Sequence, residues 1–244
     1  MSHKALHIGT AGWSLPKEHR HRFEEGASVL ARYATRLNAV EINSSFYRPH
    51  RPATYARWAA SVPEGFRFAV KVPRAITHER RLVDADALVA KFLEEAGALG
   101  TRLGPLLVQL PPSLKFDARI VETFFRDMRT RFDGAIVCEP RHASWFADGA
   151  DQILRDARIG VAAADPARVP GAEKPGGDRD IAYFRWHGSP RMYYSNYEPG
   201  RLAALAAQLR RARKSGADVW CIFDNTAAGA ATANALEILE LTAP

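Results

Sequence analysis

Short apolar runs alternate with helical patterns along this chain, eight times over. The runs lie at 5–9, 37–42, 66–72, 105–110, 134–138, 159–164, 181–186 and 218–223. They are nearly continuous in apolar residues, as strands buried on both faces require. Between them apolar residues recur at helical spacing: Val29, Leu30, Tyr33 and Leu37; Tyr55 and Trp58 behind Pro52; Leu88, Phe92 and Leu99; Ile120, Phe124, Phe125 and Met128. Further helices are expected over about 147–157, 201–215 and 227–241. Asp84 or Asp86, and Asp117, stand where helix starts need a cap, and Gly100 and Gly216 where helices stop. The pattern predicts the α/β class, a single TIM-type (β/α)8 barrel forming one domain over 1–244. An open doubly wound sheet is the alternative, but no GxGxxG or GxxxxGK[ST] follows any strand. The Pro/Gly-rich segment 166–180 reads as a mobile loop, not a domain boundary.

Composition narrows the class. With 47% hydrophobic and 25% charged residues in 244, disorder and low-complexity architectures are excluded. The two cysteines, Cys138 and Cys221, sit inside apolar runs and read as reduced core thiols. That usage points to a cytoplasmic protein, with neither a disulfide scaffold nor a Cys-only metal site. No apolar stretch reaches membrane-spanning length, and the N-terminus resembles no signal peptide. Residues 1–80 hold 13 Lys+Arg against 6 Asp+Glu, whereas 81–244 hold 21 of each, so the net +7 resides in the first third. Such an excess favours an anionic partner, a small molecule or a nucleic acid.

Every apolar run ends in small or polar residues. Run one gives Gly9, Thr10, Gly12 and Trp13; run two Glu41, Asn43 and Ser45; run three Lys71, Arg74, Thr77 and His78. The later runs give Gln109; Glu139, Arg141 and His142; Asp165; Arg185 and His187; Asp224 and Asn225. Residues two apart on a strand share a face, so Glu41 pairs with Asn43, Glu139 with Arg141 and Arg185 with His187. In a barrel the C-terminal strand ends converge on one mouth, the usual place for an active site. Mid-strand charges such as Glu41 and Lys71 cost several kcal/mol unless paired, which favours a polar cup over accident.

These residues also carry a resemblance. IGTAGWS (8–14), VEINSSFYR-P (40–49), FAVKVPRAITH (68–78), LGPLLVQLPPS (103–113), CEPRHASW (138–145), YFRWHG (183–188) and FDNTAAGAATANA (223–235) resemble the DUF72, or YecE-like, family. The resemblance runs through nearly the whole chain in the family's order. It implies a TIM-barrel-type fold and no defined activity. Many members carry two Asn after the last strand, where this chain has Asp224-Asn225.

Three chemistries fit such a cup. The first is phosphoester-directed hydrolysis of a nucleic acid or phosphorylated small molecule. Lys71, Arg141 and Arg185 would bind phosphate, Glu139 or Glu41 would act as base, and His142 or His187 as acid, with Asp165 a further catalytic candidate. Asn43, Gln109, Asp224 and Asn225 complete the substrate-binding set. A divalent metal is the cofactor such a mixed His and carboxylate set could take, although no HExxH spacing supports it. The second is sugar hydrolysis, with two carboxylates and the aromatics Trp13, Trp145, Trp186, Tyr193 and Tyr194; Trp58 and Trp220 read as core. The third is a non-enzymatic barrel that binds an anion or RNA. On the first reading Glu139 serves a ligand more than it serves stability.

Overall fold

The computed structural model describes residues 5–147 and 149–243. Its strands are β1 (Leu6–Thr10), β2 (Ala39–Ile42), β3 (Arg67–Lys71), β4 (Leu103–Gln109), β5 (Ile136–Glu139), β6 (Ile159–Val161), β7 (Ala163–Asp165), β8 (Gly176–Gly177), β9 (Ile181–Trp186) and β10 (Asp218–Phe223). Its α-helices are α1 (Val29–Tyr33), α2 (Pro52–Ala60), α3 (Asp86–Gly97), α4 (Ala118–Arg129), α5 (Ala150–Asp156), α6 (Pro199–Lys214) and α7 (Ala230–Leu241). No helix among the described residues is long and apolar enough to cross a membrane.

The strands form two ladders, β2-β3-β4-β5-β6-β8 and β1-β10-β9-β7, parallel throughout except for β8 against β6. The ladders are continuous through Ala162. This residue separates β6, paired to β5, from β7, paired to β9, and its N–H donates to Cys138 O at 2.8 Å. At the other junction Ala11 bridges Glu41, and Gly12 N–H donates to Glu41 O at 2.8 Å. The result is an α/β barrel of the TIM type. The sixth apolar run thus supplies two short strands instead of one, because it serves two neighbours in turn. β8 was not expected. It lies in segment 166–180, where the ladder to β6 and a bond from Gly177 N–H to Asp151 Oδ1 (2.7 Å) give order to a stretch that reads as a loop.

The junction between β1 and β2 has side chains where a ladder would be. Ile8 N–H donates to Asn38 Oδ1 and Asn38 Nδ2 to Leu6 O, both at 2.8 Å. Thr10 N–H donates to the Tyr33 hydroxyl, which donates to Ala39 O, both at 2.9 Å. Gly9 permits this: a Cβ there would stand 2.0 Å from Ala39 O. Backbone groups that cannot reach each other are satisfied through one amide and one phenol, as buried polar groups must be.

Side-chain alternation separates two cores. Ala39, Ala69, Leu107, Val137, Ala162, Ile181, Tyr183, Trp220 and Ile222 fill the barrel interior. The alternate positions, Val40, Val70, Val108, Cys138, Phe184 and Cys221 among them, pack outward against the helices. Small residues on one side of the interior leave room for Tyr183 and Trp220, stacked 6.0 Å apart; Gly104 clears the Trp220 edge. Ser28 and Asp117 cap α1 and α4 by accepting from Ala31 and Ile120 N–H. Neither Asp84 nor Asp86 caps α3: Ala85 takes that position, after a segment in which Arg81, Leu82 and Asp84 all have positive φ. Helix α1 stops at Tyr33, short of Leu37, so that the Tyr33 hydroxyl and Asn38 reach the β1–β2 junction.

Candidate functional site

Above the apolar interior, the next inward positions are charged. Arg185 follows Tyr183 on β9, Glu41 follows Ala39 on β2, Glu139 follows Val137 on β5, and Asp224 follows Ile222 beyond β10. Arg185 is completely buried. Its Nε and Nη2 lie 3.0 and 2.8 Å from the two Glu41 oxygens, and its Nη1 lies 3.1 Å from Glu139 Oε2. Nη2 also reaches Asp224 Oδ2 at 2.9 Å. Tyr183 donates to Glu41 Oε2 at 2.9 Å. His187 places Nδ1 3.0 Å from Asp224 Oδ2 and Nε2 3.4 Å from Glu139 Oε1. One guanidinium therefore gathers three carboxylates, and an imidazole links two of them.

The electrostatics follow from this pairing. Burial pushes the Glu139 carboxyl up, but Arg141, Arg185 and His187 outweigh it and hold it well below the usual range. Asp224 is lowered in the same way, burial being overcome by Arg185 and His187. Burial disfavours charge on Arg185, yet Asp224, Glu41 and Glu139 hold its proton more firmly than usual. Burial, with Glu41 next, drives the Tyr183 phenol well up, so it stays a donor. Each charge has its opposite within hydrogen-bond reach, the condition under which buried charge is tolerated.

The opposite arc, over β2 to β5, is not saturated. Lys71 is only 5% exposed, yet its Nζ makes no hydrogen bond and has no carboxylate within 4.0 Å among the described residues. It rests 4.1 Å over the Phe46 ring, in a turn pinned where Ser45 Oγ donates to Lys71 O at 2.6 Å. Burial first, and Arg185 second, lower its ammonium to about 8 against the pull of Glu41, Glu139 and Asp224. Gln109, 6% exposed and beside Glu139 in register, has no partner among the described residues. Arg141 spends Nε and Nη2 on one Glu139 oxygen, at 2.9 and 2.7 Å, leaving Nη1 without a described partner. Asn43 Nδ2 reaches Asp224 Oδ1 at 3.5 Å while its buried Oδ1 has no partner. Nearby, His78 is held below its ordinary value by burial and then by Lys71, Arg141, Arg74 and Arg81.

The structure thus brings Glu41, Asn43, Lys71, Gln109, Glu139, Arg141, Arg185, His187 and Asp224 into one cup. Three expected members lie elsewhere. Asp165 is in register with Trp186 and faces outward, where Arg201 Nη2 and the Tyr197 hydroxyl donate to its carboxylate. Asn225, next to the inward Asp224, must face out and donates to Ser195 O and Asn234 Oδ1. His142, next to inward Arg141, accepts from Ser144 N–H at the start of a short helical turn. Arg185 is in the cup but is no anion ligand, since all its donor nitrogens already face carboxylates. Glu139 is likewise bound into ion pairs. Of the aromatic set, Tyr193 and Tyr194 are exposed, with Tyr193 edge-on to His187 at 5.8 Å, whereas the tryptophans form no open platform. Trp145 and Trp186 are buried, and Trp13 packs edge-on against Trp58 at 5.0 Å. Among the described residues, no group of three His, Cys, Asp or Glu is placed to hold a metal ion. The Arg185 guanidinium stands among the carboxylates where a divalent ion would.

Tyr183 and Phe46 were missed. The face Ile181–Tyr183–Arg185–His187 is visible as a two-residue period and includes Tyr183. Phe46 carries no such signal, because a turn and not a strand positions it.

Fold and site define a TIM-type α/β barrel whose C-terminal mouth is charged, saturated on one side and unsatisfied on the other. The chain belongs to the DUF72 family of proteins of unknown function, whose model matches residues 7–244. It is 32% identical over 150 residues to the UPF0759 protein YecE of Escherichia coli K12, covering 60% of this chain and 52% of YecE, about half that relative's length. It is 24% identical to YunF of Bacillus subtilis, over 97% of this chain and 94% of that protein. DUF72 crystal structures from Enterococcus faecalis and Thermotoga maritima share the fold, each at 23% identity. Their TM-scores are 0.82 (98% of this chain, 95% of that one) and 0.80 (97% and 98%). A xylose isomerase-like TIM barrel fused to a 4-hydroxyphenylpyruvate dioxygenase aligns at TM-score 0.51 and 16% identity, over 97% of this chain and 42% of that one.

Proposed function

We propose that the unsaturated arc of the cup binds the anionic group, phosphate or carboxylate, of a small molecule. The observation that carries this reading is Lys71, a buried ammonium with no counter-ion among the described residues. An anion seated between Lys71 Nζ, the Gln109 amide and the free edge of Arg141 supplies the missing partner. Charge-assisted bonds of this kind are about twice as strong as neutral ones, and the dry walls of a barrel mouth strengthen them further. His78 lies in the field of the same cations and is favoured as a neutral donor on the rim. Binding is better supported than phosphoester hydrolysis with a carboxylate base. Glu139 and Asp224 are held below their usual range, and a carboxylate pinned by guanidinium takes a proton poorly.

The test is calorimetric titration with sulfate at low ionic strength, on the wild type and on Lys71→Met. Saturable binding by the wild type that is lost in the variant is expected; equal binding by both, or none by either, removes the reading.

A further inference from the structure

Anion binding accounts for a cation at the mouth but not for its being this lysine. Arg141, its side chain about 10% exposed, is permanently charged and well suited to a phosphate or carboxylate fork. Lys71 is set deeper, on the last inward position of β3, with its stem in the barrel wall. None of the three carboxylates in the cup is free to hold its ammonium, since Arg185 has drawn all three to the other side. Lys71 is thus an amine almost enclosed by protein, at the C-terminal end of its strand and without a partner among the described residues.

We propose that Lys71 forms a Schiff base with a carbonyl compound that also carries an anionic group, such as a 2-oxo acid or a phosphorylated aldehyde or ketone. The inference rests on the anion-binding reading: Arg141 and Gln109 hold the anionic group, and the carbonyl carbon meets Lys71 Nζ. The ammonium first gives a proton to solvent through the mouth. The Nζ lone pair then adds to the carbonyl carbon, so a C–N bond forms and the C=O π pair moves to oxygen; the oxygen takes a proton and the now cationic Nζ loses one, giving a neutral carbinolamine. The carbinolamine takes a second proton and loses its hydroxyl as water, leaving a protonated imine. Over the whole sequence an ammonium and a carbonyl become an iminium and water, with no change of net charge. The iminium keeps the positive charge that Glu41, Glu139 and Asp224 favour and that the Phe46 ring supports at 4.1 Å. Burial and Arg185 make the first deprotonation accessible: with an ammonium at about 8, roughly a tenth of the chains carry the free amine at pH 7. A solvated lysine carries it in well under one chain in a thousand. Desolvation of this kind is a common means of activating a lysine nucleophile.

The experiment is reductive trapping on the intact wild-type chain. Pyruvate or glyceraldehyde 3-phosphate is added with cyanoborohydride near neutral pH, and the modified lysines are identified by peptide mass spectrometry. The adduct is expected on Lys71 at least tenfold ahead of Lys17, Lys91, Lys115, Lys174 and Lys214. Sulfate should suppress it, and uncharged acetone should give much less. Adducts spread evenly over the lysines, or sparing Lys71, overturn the Schiff base. If sulfate still binds in that case, the anion site stands without the covalent step; if sulfate fails as well, both readings fall. Because the readout is taken on the wild type, it does not depend on a variant that folds.

Discussion

Lys71 and Arg185 are both buried cations of the cup: among the described residues one has no counter-ion and the other has three. For Lys71 the imbalance has a thermodynamic signature. Its folded value near 8 lies below the ordinary 10.5, so between these pH values the unfolded chain holds more protons than the folded one. Stability therefore rises with pH from about 8 to 10.5, and below 8 the buried ammonium burdens the fold by about 3 kcal/mol. Lys71→Met, which keeps an unbranched apolar stem but removes the charge, should raise stability at pH 7 by up to that amount, with the gain shrinking as pH approaches 10. Urea unfolding at both pH values checks this; a variant less stable than wild type at both would contradict it. A residue that lowers stability where it stands is what a functional site predicts. Lys71 was legible as a candidate because a charge in AVKVP is conspicuous. Which cation was paired was not legible, since that depends on where Arg185 from a strand more than a hundred residues away comes to rest.

At the level of elements, the alternation of strand faces decides what enters the cup. Adjacent residues cannot both point inward, so Asp224 excludes Asn225 and Arg141 excludes His142, and the sequence already contained that constraint. Asp165 was harder. Alanines precede it from 162 to 164, and alanine fits either face, so nothing in VAAAD marks the phase. The β1–β2 junction was also hidden, because it depends on Tyr33, which reads simply as an apolar helix position. Tyr33→Phe removes the hydroxyl that Thr10 N–H and Ala39 O both use. With two buried backbone groups left unpaired, a loss of about 1–3 kcal/mol is expected in denaturant unfolding. A change within a few tenths would mean that water or backbone movement replaces the phenol.

For the whole molecule, eight apolar runs and their intervening helices were enough to predict a TIM-type barrel, because two-sided burial and helical period are local signals. The ion-pair cluster that closes the barrel is not local, and it ties the fold to pH. Glu139 and Asp224 sit below their ordinary 4.5 and 3.8 when folded, so their stabilisation is complete above those values and is lost as pH falls through the folded ones. Acid unfolding should set in below about pH 4.5. Glu139→Gln should cost about 3–5 kcal/mol at neutral pH, as expected when one partner of a buried pair is removed, and should flatten the acid limb. A Glu139→Gln chain with wild-type stability would mean that its pairing with Arg141 and Arg185 adds little.

The central claim is that Lys71 lacks a partner among the described residues and receives one from an anion. It is tested most directly by sulfate titration across pH, because sulfate keeps its charge while Lys71 titrates. If the ammonium is the ligand, affinity stays level up to about pH 8 and then falls close to tenfold per pH unit. Lys71→Met abolishes binding at every pH. Affinity that is unchanged between pH 7 and 10, or that survives in Lys71→Met, would place the anion elsewhere and contradict the account.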